Sequence, residues 1–220
     1  ATFNLAEKYF TLTRDHGLVT YSKDAVNQVV AGFDADWNNV EFKPDLTVGL
    51  VWSNLHSRGQ LAKLIDSAKT HLWIQHPKFV DAVILDRIVE ACVRGVKVHL
   101  LCGGKHGISD WDIYDTFGNL RVMSRFGVKI RRQKHLKLHT KMIIVDKKAA
   151  VIGSMNIDRS AFDLRRELGM ETDAPEVIAR CCETFESDWH EAKEYLAPDP
   201  LEPSLHDHGE LSPDPSFIHE

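Results

Sequence analysis

Apolar residues recur along the chain in short runs separated by amphipathic stretches of ten to sixteen residues. Leu46–Trp52, Leu72–Gln75, Val96–Cys102, Val128–Arg131 and Ala149–Ile152 are short and rich in branched or aromatic side chains, which predicts strands. Between them, Ser57–Ala68, Asp81–Arg94 and Trp111–Phe126 carry apolar residues at helical spacing. In the second of these, Val83, Ile84, Ile88, Cys92 and Val93 fall to one side, and Gly95 follows at a position suited to a helix stop. Gly127 stops the third in the same way. Glu176–Leu196 predicts a final helix. Strands alternating with helices give an α/β layered fold. Leu138–Val145 reads as one more strand, turned back by Lys147-Lys148 into Ala149–Ile152. Residues two apart in a strand share a face, so His139 and Lys141 point the same way.

Comparison of the chain with itself adds a second level of order. Shifted by 152 positions, residues 1–37 align without a gap to 153–189. Asn4, Phe10, Leu12, Arg14, Gly17, Thr20, Phe33, Asp36 and Trp37 meet identical residues, nine in 37, where chance composition gives about two. Thr2 faces Ser154 and Asp15 faces Glu167. Residues 1–37 are therefore expected to be the tail of a first repeat, 38–196 a complete second one, and 197–220 an extension.

Charge changes the picture in two places. Residues 197–220 contain five prolines and six acids but no Lys or Arg, the composition of a flexible tail. Its His206-Asp207-His208 is read as polar tail rather than as a metal site. Without those six acids the formal charge moves from −5 to +1, so the body is nearly neutral. Within that body, Arg121, Arg125, Lys129, Arg131, Arg132, Lys134, Lys137 and Lys141 form a stretch with no acid leading to His139. A basic approach of that kind fits an anionic substrate, either a phospholipid headgroup layer or nucleic acid. Trp52, Phe79 and Trp111 are read as core, with acyl-chain contact as the alternative. Cys92, Cys102, Cys181 and Cys182 lack metal spacing and read as buried free thiols. The chain has no apolar run of eighteen residues and no Gly-rich nucleotide fingerprint.

The candidate chemistry lies in His139-Thr-Lys141-Met-Ile-Ile-Val-Asp146, followed by Gly153-Ser154-Met-Asn156 and by Arg166-Glu167. An imidazole, an ammonium, a hydroxyl and an amide on adjacent strands can hold a phosphodiester's oxygens while histidine attacks phosphorus or protonates the leaving oxygen. This pattern resembles the phospholipase D superfamily, and the likeness covers most of the chain. It departs at Arg165, where many members carry asparagine.

The resemblance implies a mixed central sheet flanked by helices. It also implies two such motifs meeting across a pseudo-two-fold axis, with one phosphohistidine and one general acid and base, and without a metal or cofactor. His139 is then catalytic, with Lys141, Ser154 and Asn156 on phosphate, Glu167 holding the His139 ring and Asp146 giving support. From the first repeat, Thr2 and Asn4 would bind phosphate and Asp15 would orient that repeat's histidine, which lies upstream of residue 1. The missing half would be a separate or cleaved chain, or a homodimer would replace it. The implied activity is hydrolysis or transfer of phosphatidyl groups, in a cytoplasmic or membrane-associated, bacterial-type enzyme with a phospholipid substrate. A metal-independent nuclease and a non-catalytic phosphate-binding half are the alternatives.

Overall fold

The structure is a computed structural model, and it describes residues 1–105 and 108–202. The tail's His206-Asp207-His208 lies outside the described residues.

The centre is an eight-stranded mixed sheet. Three strands, β3 (His71–Gln75), β4 (Lys97–Cys102) and β5 (Lys129–Arg132), run parallel. The helices α4 (Ala82–Val93) and α5 (Asp110–Arg125) connect them, as parallel strands require a crossover. On the other side of β3 the sheet turns antiparallel through β7 (Met142–Val145), β8 (Ala149–Gly153), β9 (Leu168–Thr172) and β2 (Leu50–Trp52). A short β10 (Lys193–Glu194) closes the opposite edge against β5.

Both faces of the sheet are covered. On one, α3 (Ser57–Ser67), α4 and α5 bury Ile65, Ile84, Ile88, Phe117 and Leu120 against Leu72, Ile74, Leu100 and Ile143. On the other, beyond the short α6 (Arg159–Asp163), α7 (Pro175–Glu191) lays Ile178, Cys181 and Phe185 over Trp73, Met142, Ile144 and Ile152. Alternating residues of β7 therefore serve two cores, which is why its four residues are all buried and apolar.

The N-terminal segment lies on this body. After a single turn of helix, α1 (Lys8–Thr11), β1 (Thr13–Arg14) pairs in parallel with β6 (Lys137–Leu138). The helix α2 (Lys23–Trp37) is capped by Ser22, whose hydroxyl accepts from the Ala25 N–H. It seats Ala25 and Ala35 near Phe42, Leu50 and Trp52, and a Cβ at Gly32 would stand 2.8 Å from the Trp52 ring.

Three element boundaries differ from the sequence reading. The run from Leu46 opens as a 3-10 turn over Leu46–Val48, and Gly49 at φ 81° then swings the chain into a shorter strand. The final helix stops at Glu191, because the chain turns extended at Ala192 to pair as β10. The strand expected over Leu138–Val145 is interrupted: residues 139–141 lie between β6 and β7, where pairing passes from β1 to β3 and β8.

The β8–β9 contact explains two glycines. Gly153 and Gly169 are register partners, and a Cβ on Gly153 would fall 2.6 Å from the Gly169 Cα. The turn after β7 instead uses two non-glycine left-handed residues, Asp146 at φ 52° and Lys147 at φ 55°. Asp146 tolerates this because its carboxylate accepts from the N–H groups of Lys69, Thr70 and His71 and from the Thr70 hydroxyl. Partial burial works against its charge, but those N–H donors outweigh it and hold the carboxyl down at about 2. It thus ties the α3–β3 loop to the hairpin at the end of β7 away from His139.

Asp146→Ala strands three N–H groups at that loop. It is expected to cost about 1–3 kcal/mol in urea unfolding, and an unchanged midpoint would show that the loop is held by other contacts.

Candidate active site

His139 sits at the break between β6 and β7, and it is buried. Its backbone N–H donates to the Arg14 carbonyl, continuing the β1–β6 pairing by one residue. That pairing carries the next N-terminal residue, Asp15, to the imidazole: Nδ1 lies 2.8 Å from Asp15 Oδ1. Asp15 also accepts from the hydroxyls of Thr2, at 2.6 Å, and Thr13. Burial opposes its ionisation, but the bond to His139 and the two hydroxyls outweigh burial and keep the carboxyl below its usual range. With Nδ1–H donating to a carboxylate, the other ring nitrogen is left as the proton acceptor.

Lys141 Nζ stands 2.8 Å from His139 Nε2 and donates to the Thr2 carbonyl at 3.1 Å. The Tyr9 ring tilts against the imidazole, with centroids 4.6 Å apart. Its hydroxyl accepts from Asn4 Nδ2 at 3.4 Å. Asn156 is buried, and its Oδ1 has no hydrogen-bond partner among the described residues. A buried amide oxygen without a partner is costly unless a ligand or solvent completes it.

Several sequence expectations are corrected here. The carboxylate on the His139 ring comes from Asp15, not from Glu167. Glu167 instead pairs with Arg165 Nε at 3.3 Å, and its N–H donates to the Ser53 hydroxyl. Thr2 does not present a free hydroxyl: it donates to Asp15 and accepts from the His16 N–H at 2.8 Å. Ser154 Oγ likewise accepts from the Leu168 N–H at 3.2 Å. Asp146, expected as support, does support a loop, that at residues 69–71. The basic stretch does not line one approach either. Arg121 bonds the Ala197 carbonyl, Arg131 bonds the Trp189 carbonyl and covers its ring, and Arg132 lies over Tyr195. Trp52 and Phe79 are core, whereas Trp111 is exposed. Cys102 and Cys181 are buried and Cys92 and Cys182 only partly so, all four as free thiols.

Residues 152 apart repeat the same bonds. Thr2 and His16 exchange N–H···O=C and N–H···Oγ bonds, and Ser154 and Leu168 do the same. Arg14 grips Asp188 through Nε and a terminal nitrogen, both at 2.8 Å. Arg166 grips Asp36 in the same two-pronged way at 2.8 and 2.6 Å. Each arginine belongs to one segment of the internal alignment and its aspartate to the other.

Two residues near the site escape the sequence reading. Tyr9 is matched by Ala161 in the repeat and carries no motif signal. His76 follows a buried strand. Its Nδ1 accepts from the Lys78 N–H at 3.1 Å, so Nε2 carries the proton and donates to the Met155 carbonyl at 3.2 Å. It thereby holds the turn that presents Asn156. Burial pushes its pKa down to about 3, and burial likewise pushes His16 to about 4.

The family described as cardiolipin synthase, PLD-like domain, matches residues 61–189. Cardiolipin synthase 2 of Staphylococcus epidermidis is 27% identical over 195 residues, covering 76% of this chain and 39% of that protein. The major cardiolipin synthase of Bacillus subtilis is 24% identical over 217 residues, covering 84% and 44%. The chain thus spans about two fifths of the length of these relatives. Among solved structures, the phospholipase D family member Nuc from Salmonella typhimurium superposes with a TM-score of 0.61 at 22% identity, covering 66% of this chain and 95% of that one. The phosphatidylserine synthase of Haemophilus influenzae does so at 0.55 and 15%, covering 67% and 40%. Those two likenesses show the fold.

The buried neutral histidines predict acid sensitivity. Unfolded histidine takes up a proton near pH 6.5, whereas His76 in the fold stays neutral to about 3. The unfolded state then binds more protons, and stability is lost as pH falls from about 6.5 towards 3, by at most about 1.4 kcal/mol per pH unit for each proton. His76→Gln keeps a donor for Met155 and removes this titration. Its loss of stability between pH 7 and pH 5 should be smaller than the parent's, and an equal loss would refute the assignment.

Proposed function

The chain belongs to the PLD-like domain family of cardiolipin synthase, and from that membership we propose that it supplies one half of a centre that transfers phosphatidyl groups. The observation that carries this reading is the buried line Asp15–His139–Lys141. It joins a carboxylate, an imidazole and an ammonium, each within hydrogen-bond distance of the next.

Each group has a definite task in such a transfer. The histidine of a first repeat attacks phosphorus, forming an N–P bond as the bond to the donor alcohol breaks. His139, once it has taken a proton from solvent on Nε2, passes that proton to the departing oxygen and returns to the Nδ1–H form. Asp15 stabilises the imidazolium from Nδ1 and fixes the ring's orientation. Lys141 meets the charge on the phosphoryl oxygens, and the amide of Asn156 is assigned to the same oxygens. In the second half-reaction His139 takes the proton from an acceptor alcohol, whose oxygen displaces the first histidine from phosphorus. With water in that place the outcome is hydrolysis.

The crossed arginine–aspartate pairs support the two-repeat form of this reading. Arg14–Asp188 and Arg166–Asp36 exchange partners between segments 152 residues apart. Applied to Asp15 on His139, the same exchange puts Glu167 on the first repeat's histidine. The acid of each repeat then serves the histidine of the other.

The test uses a two-repeat protein that includes this segment, incubated with phosphatidylglycerol vesicles and separately with DNA, in the presence of a chelator. Phosphatidyl transfer or headgroup release is expected, with His139→Ala slower by about 10²–10⁴-fold. DNA cleavage with intact lipid would sink the reading, and so would full activity in His139→Ala. The 220-residue chain assayed alone is expected to be inactive.

A further inference from the structure

The helix α2 carries an apolar stripe that nothing among the described residues covers. Val26, Val29, Val30, Phe33 and Trp37 recur at helical spacing, with Phe33 63% and Trp37 78% exposed. The opposite face is the one seated on the body. A helix that buries one side and leaves a second apolar side to solvent has an unfilled contact.

The internal alignment says what that contact is. α2 spans Lys23–Trp37, and α7 begins at Pro175, 152 residues later, so the two helices align from their first residue. Val26, Val29 and Phe33 correspond to Ile178, Cys181 and Phe185, all buried on the sheet. There Phe185 stacks on Trp73 at 4.8 Å and Trp189 on His99 at 4.6 Å. The aromatic pair is already set in the same way on α2. Phe33 and Trp37 stack at 6.1 Å with 23° between planes, and Phe185 and Trp189 stack at 5.9 Å with 15°. The stripe therefore has the shape of a helix face that closes a sheet.

We propose that this face of α2 docks onto the β-sheet of a preceding repeat, a sheet of the β3–β7–β8 kind that lacks a closing helix of its own. The inference rests on the two-repeat reading above. A second copy of this chain does not offer such a sheet, because α7 already covers it. The crossed pair Arg166–Asp36 fixes α2 to the second repeat near the C-terminal end of the helix. A sheet seated on the stripe would thus be held against this body by the same helix that completes it.

A helix transplant tests the fit without measuring phosphoryl transfer, so its failure is separable from failure of the functional reading. In the full chain, residues 175–189 are replaced by the sequence of 23–37, which retains the aspartate facing Arg14. The chimera is expected to unfold cooperatively within about 10 °C of the parent. Phe33→Ser and Trp37→Ser in the transplanted copy should abolish that transition. A chimera that does not fold, or a serine control as stable as the chimera, would overturn the proposal. In the parent chain, acrylamide quenching of the Trp37 signal, taken by difference from Trp37→Phe, should show an accessible ring over a wide range of protein concentration and with phosphatidylglycerol vesicles. A dimer that shields Trp37 would make a second copy the occupant, and shielding by vesicles would make it a membrane. Either result overturns the proposal.

Discussion

Asp188 is the fixed point of this fold. Its carboxylate is almost wholly buried, and a buried charge must be matched by donors. Arg14 supplies two, Gln75 supplies a third at 2.7 Å, and His135 lies 3.6 Å away. These groups come from the N-terminal segment, the central strand β3 and the loop before His139, while Asp188 itself stands on α7. One carboxylate therefore sets the relation of four parts of the chain. Removing one partner leaves an uncompensated charge, which typically costs about 3–5 kcal/mol.

The geometry around His139 follows from that anchorage. With Arg14 held, β1 has one register on β6, and Asp15 falls beside His139. The site is thus a product of strand pairing rather than of side-chain search. His76 plays the matching part on the other flank by holding the Met155 carbonyl, and so the turn that carries Asn156. Both supports are buried and polar, and their satisfied donors leave few alternative arrangements.

The layered fold was legible because each strand and helix between residues 50 and 191 carries its own period. What sequence could not give was pairing across the alignment. His139 and Glu167 lie in neighbouring motifs, and proximity in sequence suggests that they meet. The parallel contact of β1 with β6 brings Asp15 there instead, and no local pattern encodes that contact. The hydroxyls of Thr2 and Ser154 were legible as polar groups at the right offset. Their use as backbone latches depends on neighbours 14 residues away. The basic run misled for a related reason: charge counts ignore that arginine stacks and snorkels, as Arg131 and Arg132 do over Trp189 and Tyr195.

The Asp15–His139 contact joins residues 124 positions apart. Bringing such distant segments together carries a loop-closure entropy that local contacts do not, and non-local pairings slow folding. The strands and helices between them can assemble from shorter-range contacts, whereas β1 has only the finished edge of β6 to join. The His139 imidazole is therefore expected to acquire its carboxylate late in folding. A nascent or partly unfolded chain carries the motif without the Asp15–His139 contact, so that contact reports on completion of the fold.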